Sequence, residues 1–438
     1  DDGLMILSED LEIGKPLQDL FETDTIIEVE VTPNRPDLLS HTGMARELAA
    51  LAGIKCKSLD LGEPATLSDE SLIKLSAPDS CPLYSAVKIS GVTVGESPVW
   101  LKTKLEAIGL RPINNVVDIT NYALHELGHP LHAFDAAKVD GALDIRMASN
   151  GEIFKALDEV DYTLSSEDVV ISDASGKALA LGGIMGGLDS GVSNATTDII
   201  LEAAYFTPSK IRRTSRRLIL SSDSSYRFER GSDAQAVLKA SAFAASLIVE
   251  IAGGKIEAAT ATAGEAPQLN GEVELDPSKL KQLMGASVTL EGAEDILTRL
   301  GLEKREGNRW SVPSYRLDLH RHIDLVEEIA RVHGLDNVPS RFQASFAQES
   351  SVDAAYDYQM SLRSTLAAVG FYETQTIKLI AESSTDLTVA QMDTALALRP
   401  LQDGDVIRVA LPLSEDHAVM RPSLTPGLVA SAARNIRQ

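Results

Sequence analysis

The sequence predicts a multidomain α+β chain, and three observations carry that prediction. The chain has 438 residues, more than one hydrophobic core normally accommodates. From residue 80 to 256, short strand-like runs alternate with helical stretches, which predicts a mixed α/β module. From residue 273 to 340, a helix, helix, strand, helix pattern suggests a small winged-helix-like domain, set off by a segment rich in Ala, Thr, Gly and Pro.

Taken in order, residues 1–79 read as an N-terminal structural domain with a connector. In VTPNRPDLLSHTGMARELAALAG, Pro33 to Pro36 make a turn. Leu38, Leu39, Met44, Leu48 and Leu51 then recur near helical spacing until Gly53 stops the helix. LGEPATLSDESLIKLSAPDSCP reads as the connector. Residues 80–256 contain the strand-like runs YSAVKISGVTV, DVVISD, KALAL and DIILEAAYF. The clearest helix runs near Ala234 to Gly254; it is mostly apolar or small and should be well buried. Residues 257–272, EAATATAGEAPQLNGE, read as a linker with little core content. Residues 273–340 hold DPSKLKQLMG, EGAEDILTRLGLE, the strand RWSVPSY and the helix DLVEEIARVHGLDNVPS. Residues 341–438 begin with a second linker, RFQASFAQESSVD, followed by the helix DAAYDYQMSLRSTLAAVGF and the strand YETQTIKLI. No internal repeat or heptad pattern is visible.

Composition narrows the function classes. The hydrophobic share, 44%, is ordinary for a globular protein. No apolar run reaches the roughly 18 residues of a membrane helix, so no membrane partner is expected. DDGLMILSEDLEIG has neither a basic region nor an apolar signal core, so secretion is not expected; it lacks an initiator Met, which suggests a fragment, and with only two cysteines a reduced cytoplasmic setting fits. Cys56 and Cys81 match no metal or redox spacing. A net charge of −24 argues against broad nucleic-acid binding. Against that average, KIRRTSRR, Lys210 to Arg217, carries five positive charges in eight residues. It is either a solvated helix face or a contact for a nucleic-acid backbone.

Three strings hold most of the side chains that can orient a ligand. RPINNVVDITNYALHELGHPLHAFD supplies Arg111, Asn114, Asn115, Asp118, Thr120, Asn121 and His132. LALGGIMGGLDSGVSN supplies Gly182, Gly183, Gly186 and Gly187, where backbone can approach a bound group closely, and Glu202 follows in LEAAYF. SSDSSYRFERG supplies Ser222 and Ser224. A histidine, a carboxylate and hydroxyls suit hydrolysis. The competing reading makes His132 a hydrogen-bonded structural residue and Glu202 half of an ion pair with Arg212 or Arg213. No P-loop, dinucleotide fingerprint or nucleophile elbow is present. In YRLDLHRHIDLVEEIAR, Asp318 precedes a helix on which Asp324 lies three and four residues from Glu327 and Glu328. Such carboxylates suit a hard cation such as Mg²⁺, or else they form a solvated face paired with Arg316, Arg321 and Arg331.

These strings resemble the beta subunit of bacterial phenylalanyl-tRNA synthetase, and the resemblance covers nearly the whole chain. TPNRPDLLSHTGMARELAAL, PSYRLDL through DLVEEIARVHGLDNVP, and MRPSLTPGLVASAARN follow the family's order. The resemblance implies an editing module at 80–256. It also implies that 341–438 opens a catalytically silent class II synthetase-like antiparallel α/β domain. It implies ATP-dependent charging of tRNA-Phe by an (αβ)₂ heterotetramer, with ATP and synthesis on the alpha subunit. This chain would carry a site that hydrolyses mischarged Tyr-tRNA-Phe. On that basis Glu202 accepts the tyrosine hydroxyl proton with help from the Gly186 backbone. Ser222, where many relatives carry Thr, lines the same pocket, with Ser224 beside it. His132 and Asn121 lie near the ester and terminal adenosine, with Arg111 and Thr120 as further contacts. Asp318, Asp324, Glu327 and Glu328 bind Mg²⁺ at the border with the alpha subunit. A scaffold with an inactive pocket is the alternative.

Overall fold

The computed structural model describes residues 10–20, 24–57, 59, 61, 64, 66–68, 71–340, 350–385 and 406–436. They form two compact units, 1–340 and 341–438. The larger unit begins with α1 (Leu17–Leu20) and α2 (His41–Ala52). Ser40 caps α2 by accepting from the Gly43 amide, and Gly53, at φ 65°, ends it as its place in the sequence predicts. Two short strands follow, β1 (Thr66–Ser68) and β2 (Ile73–Leu75).

The module is built on β3 (Leu83–Ser90), α3 (Val99–Ala107), α4 (Asn115–Leu127), β4 (Leu131–Asp135) and β5 (Leu143–Met147). A two-stranded hairpin, β6 (Ile153–Lys155) and β7 (Asp161–Thr163), precedes β8 (Val169–Ser172), β9 (Ala178–Leu181), β10 (Met185–Gly186) and β11 (Asp198–Tyr205). Helices α5 (Pro208–Leu218), α6 (Asp223–Phe228) and α7 (Val237–Ala252) follow, then β12 (Lys255–Ile256) and β13 (Thr260–Gly264). One sheet has the order β1-β13-β3-β11-β4, with β12 also on β3; the other runs β10-β9-β8-β5-β2.

Side chains alternate between the faces of β11, and each face has its own core. Ile199 and Leu201 pack with Val87, Ile89 and Ala133 under α4 and α7, through Val116, Ile119, Ala244 and Ile248. Ile200 and Ala204 pack with Tyr84, Ala86 and Phe134 against the second sheet, through Ile145, Val170, Ile171 and Leu181. Glu202 belongs to this second face.

Two domain expectations change here. Residues 257–272, read as a linker, follow directly on β12 and contain all of β13, which pairs with β3. The alternation of Thr and Ala in TATAG is a strand pattern made of small residues, so composition hid it. The connector in 1–79 supplies β1 to one sheet and β2 to the other, each through parallel pairing. The expected apolar limit also needs correction. Ala234–Ala252 is long and apolar enough to cross a membrane by length and composition, with a mean hydropathy of 1.5. Here α7 lies on the sheet with Val237, Ala240, Ala244 and Ile248 buried.

The small domain comprises β14 (Glu272–Glu274), α8 (Pro277–Met284), α9 (Leu290–Arg299), β15 (Glu303–Lys304), β16 (Arg309–Ser311) and α10 (His322–His333). The helix, helix, strand, helix order is present, with β14 and β15 flanking β16 in a three-stranded sheet. Trp310, Leu280, Leu297, Leu325 and Ile329 form its core, and Ala50 of α2 joins them. A buried ion network ties it to the N-terminal segment. Arg35 donates to Asp37 and, at 2.9 Å, to Glu47. Arg316, 1% exposed, donates to both oxygens of Asp318 and to Glu328 at 2.7 Å. Arg331 bridges Glu328 and Glu47. Burial alone would push the Glu328 carboxyl up, but Arg331 and Arg316 hold it down at about 2.

In the second unit, α11 (Ser351–Ala368) carries a capping box at Ser350 and buries none of its residues. The expected strand YETQTIKLI contracts to β17 (Leu379–Ile380), which pairs with β18 (Val419–Met420); α12 (Thr425–Ile436) follows. Most of the second linker, 341–349, lies outside the described residues.

Removing one member of a buried network strands the others. Arg316→Ala is expected to destabilise the larger unit by about 3–5 kcal/mol in urea unfolding. In the parent, the Glu328 contribution is complete above its ordinary value of 4.5 and is lost as pH falls toward about 2.

Candidate functional site

The site grows from the register of three strands. On β11, Glu202 stands opposite His132 of β4 and Ala86 of β3. Its side chain enters the space between the sheets, where a cavity of about 60 Å³ is lined by Glu202, His132, Ile184, Gly186, Ser224 and Phe228 among others. Glu202 is 6% exposed, and its Oε2 has no hydrogen-bond partner among the described residues. Burial pushes its carboxyl up to about 8, against a smaller downward pull from the Tyr84 phenol. Near neutral pH the carboxyl therefore keeps its proton and can donate as well as accept.

His132 completes the opposite wall. Its Nε2 also lacks a partner, and burial lowers its pKa to about 4, so the ring is neutral. Phe134 meets it edge-on, with centroids 4.6 Å apart. The β9–β10 hairpin closes the cavity over the histidine. A Cβ at Gly186 would lie 2.7 Å from His132 Cε1, so only glycine fits without displacing the ring. Ser222 caps α6, accepting from the Ser225 amide, and donates to the Ile184 carbonyl at 2.6 Å. Its hydroxyl proton is thus committed to holding α6 against the glycine hairpin, whereas Ser224 lines the cavity.

Other expected contacts fall elsewhere. Arg111, Thr120 and Asn121 do not line this cavity. They lie on or just before α4, which packs on the opposite face of the sheet, and Thr120 donates to the Val117 carbonyl. Asn114 caps α4, Asn115 bridges Thr93 and Gly95, and Asp118 accepts from Ser97 and the Ile113 amide. Much of the polarity of this string is spent on its own backbone. Glu202 pairs with neither Arg212 nor Arg213; Arg213 meets Glu167 and Arg217 meets Asp168. Tyr84 was missed because a tyrosine within a strand carries no polar signal.

The acidic cluster does not fit a metal in this arrangement. Both oxygens of Asp318 accept from Arg316, and Glu328 accepts from Arg316 and Arg331. Asp324 accepts from the His320 and Arg321 amides and from the Arg321 side chain. Glu327 is exposed, away from the buried Glu328. Among the described residues, no group of three or more His, Cys, Asp or Glu is placed to hold a metal ion. The pairing with Arg316, Arg321 and Arg331, open in the sequence, is the arrangement found.

Comparison with known proteins fits this architecture. Residues 80–253 match the B3/4 domain, 273–335 the tRNA synthetase B5 domain, and 338–438 the phenylalanyl tRNA synthetase beta chain CLM domain. The chain is 40% identical to the phenylalanine–tRNA ligase beta subunit of Chlorobaculum tepidum, over 100% of this chain and 53% of that protein. It is 41% identical to that of Chlorobium chlorochromatii, over 99% and 53%. An N-terminal fragment of the phenylalanyl-tRNA synthetase beta subunit from Pyrococcus horikoshii has a TM-score of 0.36 and 16% identity, covering 69% of this chain and 84% of that one. A B3/4 domain followed by a B5 domain places the chain among subunits of aminoacyl-tRNA synthetases. The chain belongs to the family of phenylalanine–tRNA ligase beta subunits. It spans about half the length of the curated relatives it matches.

The buried carboxyl has a stability signature. Because its folded value of about 8 exceeds the ordinary 4.5, its neutral form contributes fully below 4.5, and that contribution is lost as pH rises toward 8. Comparing urea midpoints of the parent and Glu202→Gln, the variant is expected to gain a few kcal/mol relative to the parent from roughly pH 5 to 8.

Proposed function

We propose that the Glu202 cavity is an editing site that hydrolyses tyrosine wrongly esterified to tRNA-Phe. The chain would act within a phenylalanine–tRNA ligase whose alpha subunit performs ATP-dependent charging in an (αβ)₂ assembly in the cytoplasm. The observation that carries this reading is the unpartnered buried carboxyl of Glu202, facing a neutral His132 in a cavity that Gly186 keeps open. A hydrophobic pocket that selects Phe rejects Tyr by only about 10²-fold, because Tyr merely adds a hydroxyl. A second pocket that hydrogen-bonds the phenol inverts the selection, since Phe leaves its buried polar groups unpaired.

In this reading Glu202 receives the tyrosyl hydroxyl, and Gly186 gives the ring room beside His132. Neutral His132 holds a water or the ester by hydrogen bonding rather than as a strong base. Water adds to the ester carbonyl, the ribose oxygen leaves and takes a proton, and tyrosine and intact tRNA-Phe result. Ser222 acts by fixing the hairpin, and Ser224 lines the wall. Arg111 and Asn121 serve RNA beyond the cavity. Arg212 and Arg216, exposed on α5, are candidates for its phosphates. No step uses Mg²⁺.

Size favours a second reading, a tRNA-binding scaffold with an inactive pocket. A cavity of about 60 Å³ is smaller than the roughly 150 Å³ that holds a benzene ring, so the hairpin must move to admit tyrosine. Deacylation of Tyr-tRNA-Phe and Phe-tRNA-Phe by this chain separates the two. Selective loss of tyrosine is expected, with a drop of at least tenfold in Glu202→Ala. Equal rates in parent and variant would remove Glu202 from the site, and no deacylation by parent chain or assembled enzyme would leave the scaffold.

A further inference from the structure

Three buried polar atoms at this site lack a hydrogen-bond partner among the described residues: Glu202 Oε2, His132 Nε2 and Tyr84 Oη. Tyr84 does not line the cavity; it stands behind Glu202, and strand geometry explains how. On β3, Ala86 lies opposite Glu202 and Tyr84 lies opposite Ala204. Residues two apart on a strand share a face, so Tyr84 is the diagonal neighbour of Glu202, within reach of a long aromatic side chain. Tyr84 is 0% exposed and packs with Ala86, Phe134 and Ala204. A phenylalanine would fill the same space without the penalty of an unsatisfied buried hydroxyl. The hydroxyl therefore calls for a use, and the carboxyl of Glu202 is the group it adjoins.

We infer that Tyr84 is a positioning residue, whose phenol stands beside the Glu202 carboxyl, donates to it when that group ionises, and so orients it to meet a phenolic ligand. The inference rests on Glu202 being the group that recognises the tyrosyl hydroxyl. The surroundings leave this task to Tyr84. From β4 comes the neutral His132, and the Cys81 thiol lies just before β3. The hairpin supplies Ile184, Met185 and Gly186, and α6 supplies Ser224 and Phe228; none of these lining groups is a cation. Each member of the pair acts on the other: burial first, then the Glu202 charge, raises the Tyr84 phenol, and the phenol pulls Glu202 down.

The test is a titration of the full chain carrying ¹³C-carboxyl glutamate, from roughly pH 5 to 9, with the Glu202 signal assigned by its loss in Glu202→Gln. In Tyr84→Phe the Glu202 midpoint is expected to rise by about one pH unit. The preference for Tyr-tRNA-Phe over Phe-tRNA-Phe is expected to fall about tenfold, with the urea midpoint held or raised. An unmoved Glu202 midpoint overturns the inference, whatever happens to deacylation. A raised midpoint in a chain whose parent shows no tyrosine preference upholds the Tyr84–Glu202 pair and sinks the editing reading instead.

Discussion

Strand β11 is hydrogen-bonded on both edges and packed on both faces, and most of the larger unit takes its place from it. One face must satisfy the helices α4 and α7, and the other must satisfy the second sheet. A carboxylate in such a strand would ordinarily be excluded, because desolvating an ion costs several kcal/mol. Glu202 is accommodated by retaining its proton and by a gap in the packing on its side. The hairpin lines the gap, and Gly186 leaves room in it beside His132. Its mouth is set by α6, which Ser222 fastens to Ile184.

Charge is handled differently in the small domain. There the Glu328 carboxylate stays ionised, because the Arg316 and Arg331 guanidiniums meet it with hydrogen bonds. Arg35, Arg316 and Arg331 join Asp37, Glu47, Asp318 and Glu328 across the N-terminal segment and the small domain. One chain thus shows both solutions to buried acidity, neutralisation by a proton and neutralisation by arginine. The first leaves a group ready for a ligand, and the second uses the group up.

The sequence was most legible where periodicity and caps agree. Gly53 after α2, the apolar run of α7 and the helices around RWSVPSY could be placed from spacing alone. Glu202, His132 and Gly186 could be marked as a polar set, but residue spacing cannot show that β4 and β11 put two of them side by side. Asn114, Asn115 and Asp118 were indistinguishable from ligand-binding groups, since a cap and a contact use the same side chains. The pairing of the acidic cluster stayed open in the sequence for a related reason. Arg316 is two residues from Asp318, but its reach to Glu328 depends on how α10 packs, which no local pattern encodes.

The weaving of β1, β2 and β13 into the two sheets bears on modularity. A module excised at residues 80 and 256 would lose the strand that covers β3 and the one that ends the second sheet. The bared edge of β3 would be a template for pairing between molecules. The smallest piece that keeps both sheets whole runs from residue 66 to 264, so recombination or transplantation of this pocket is bounded by strand pairing, not by the segments that look like linkers.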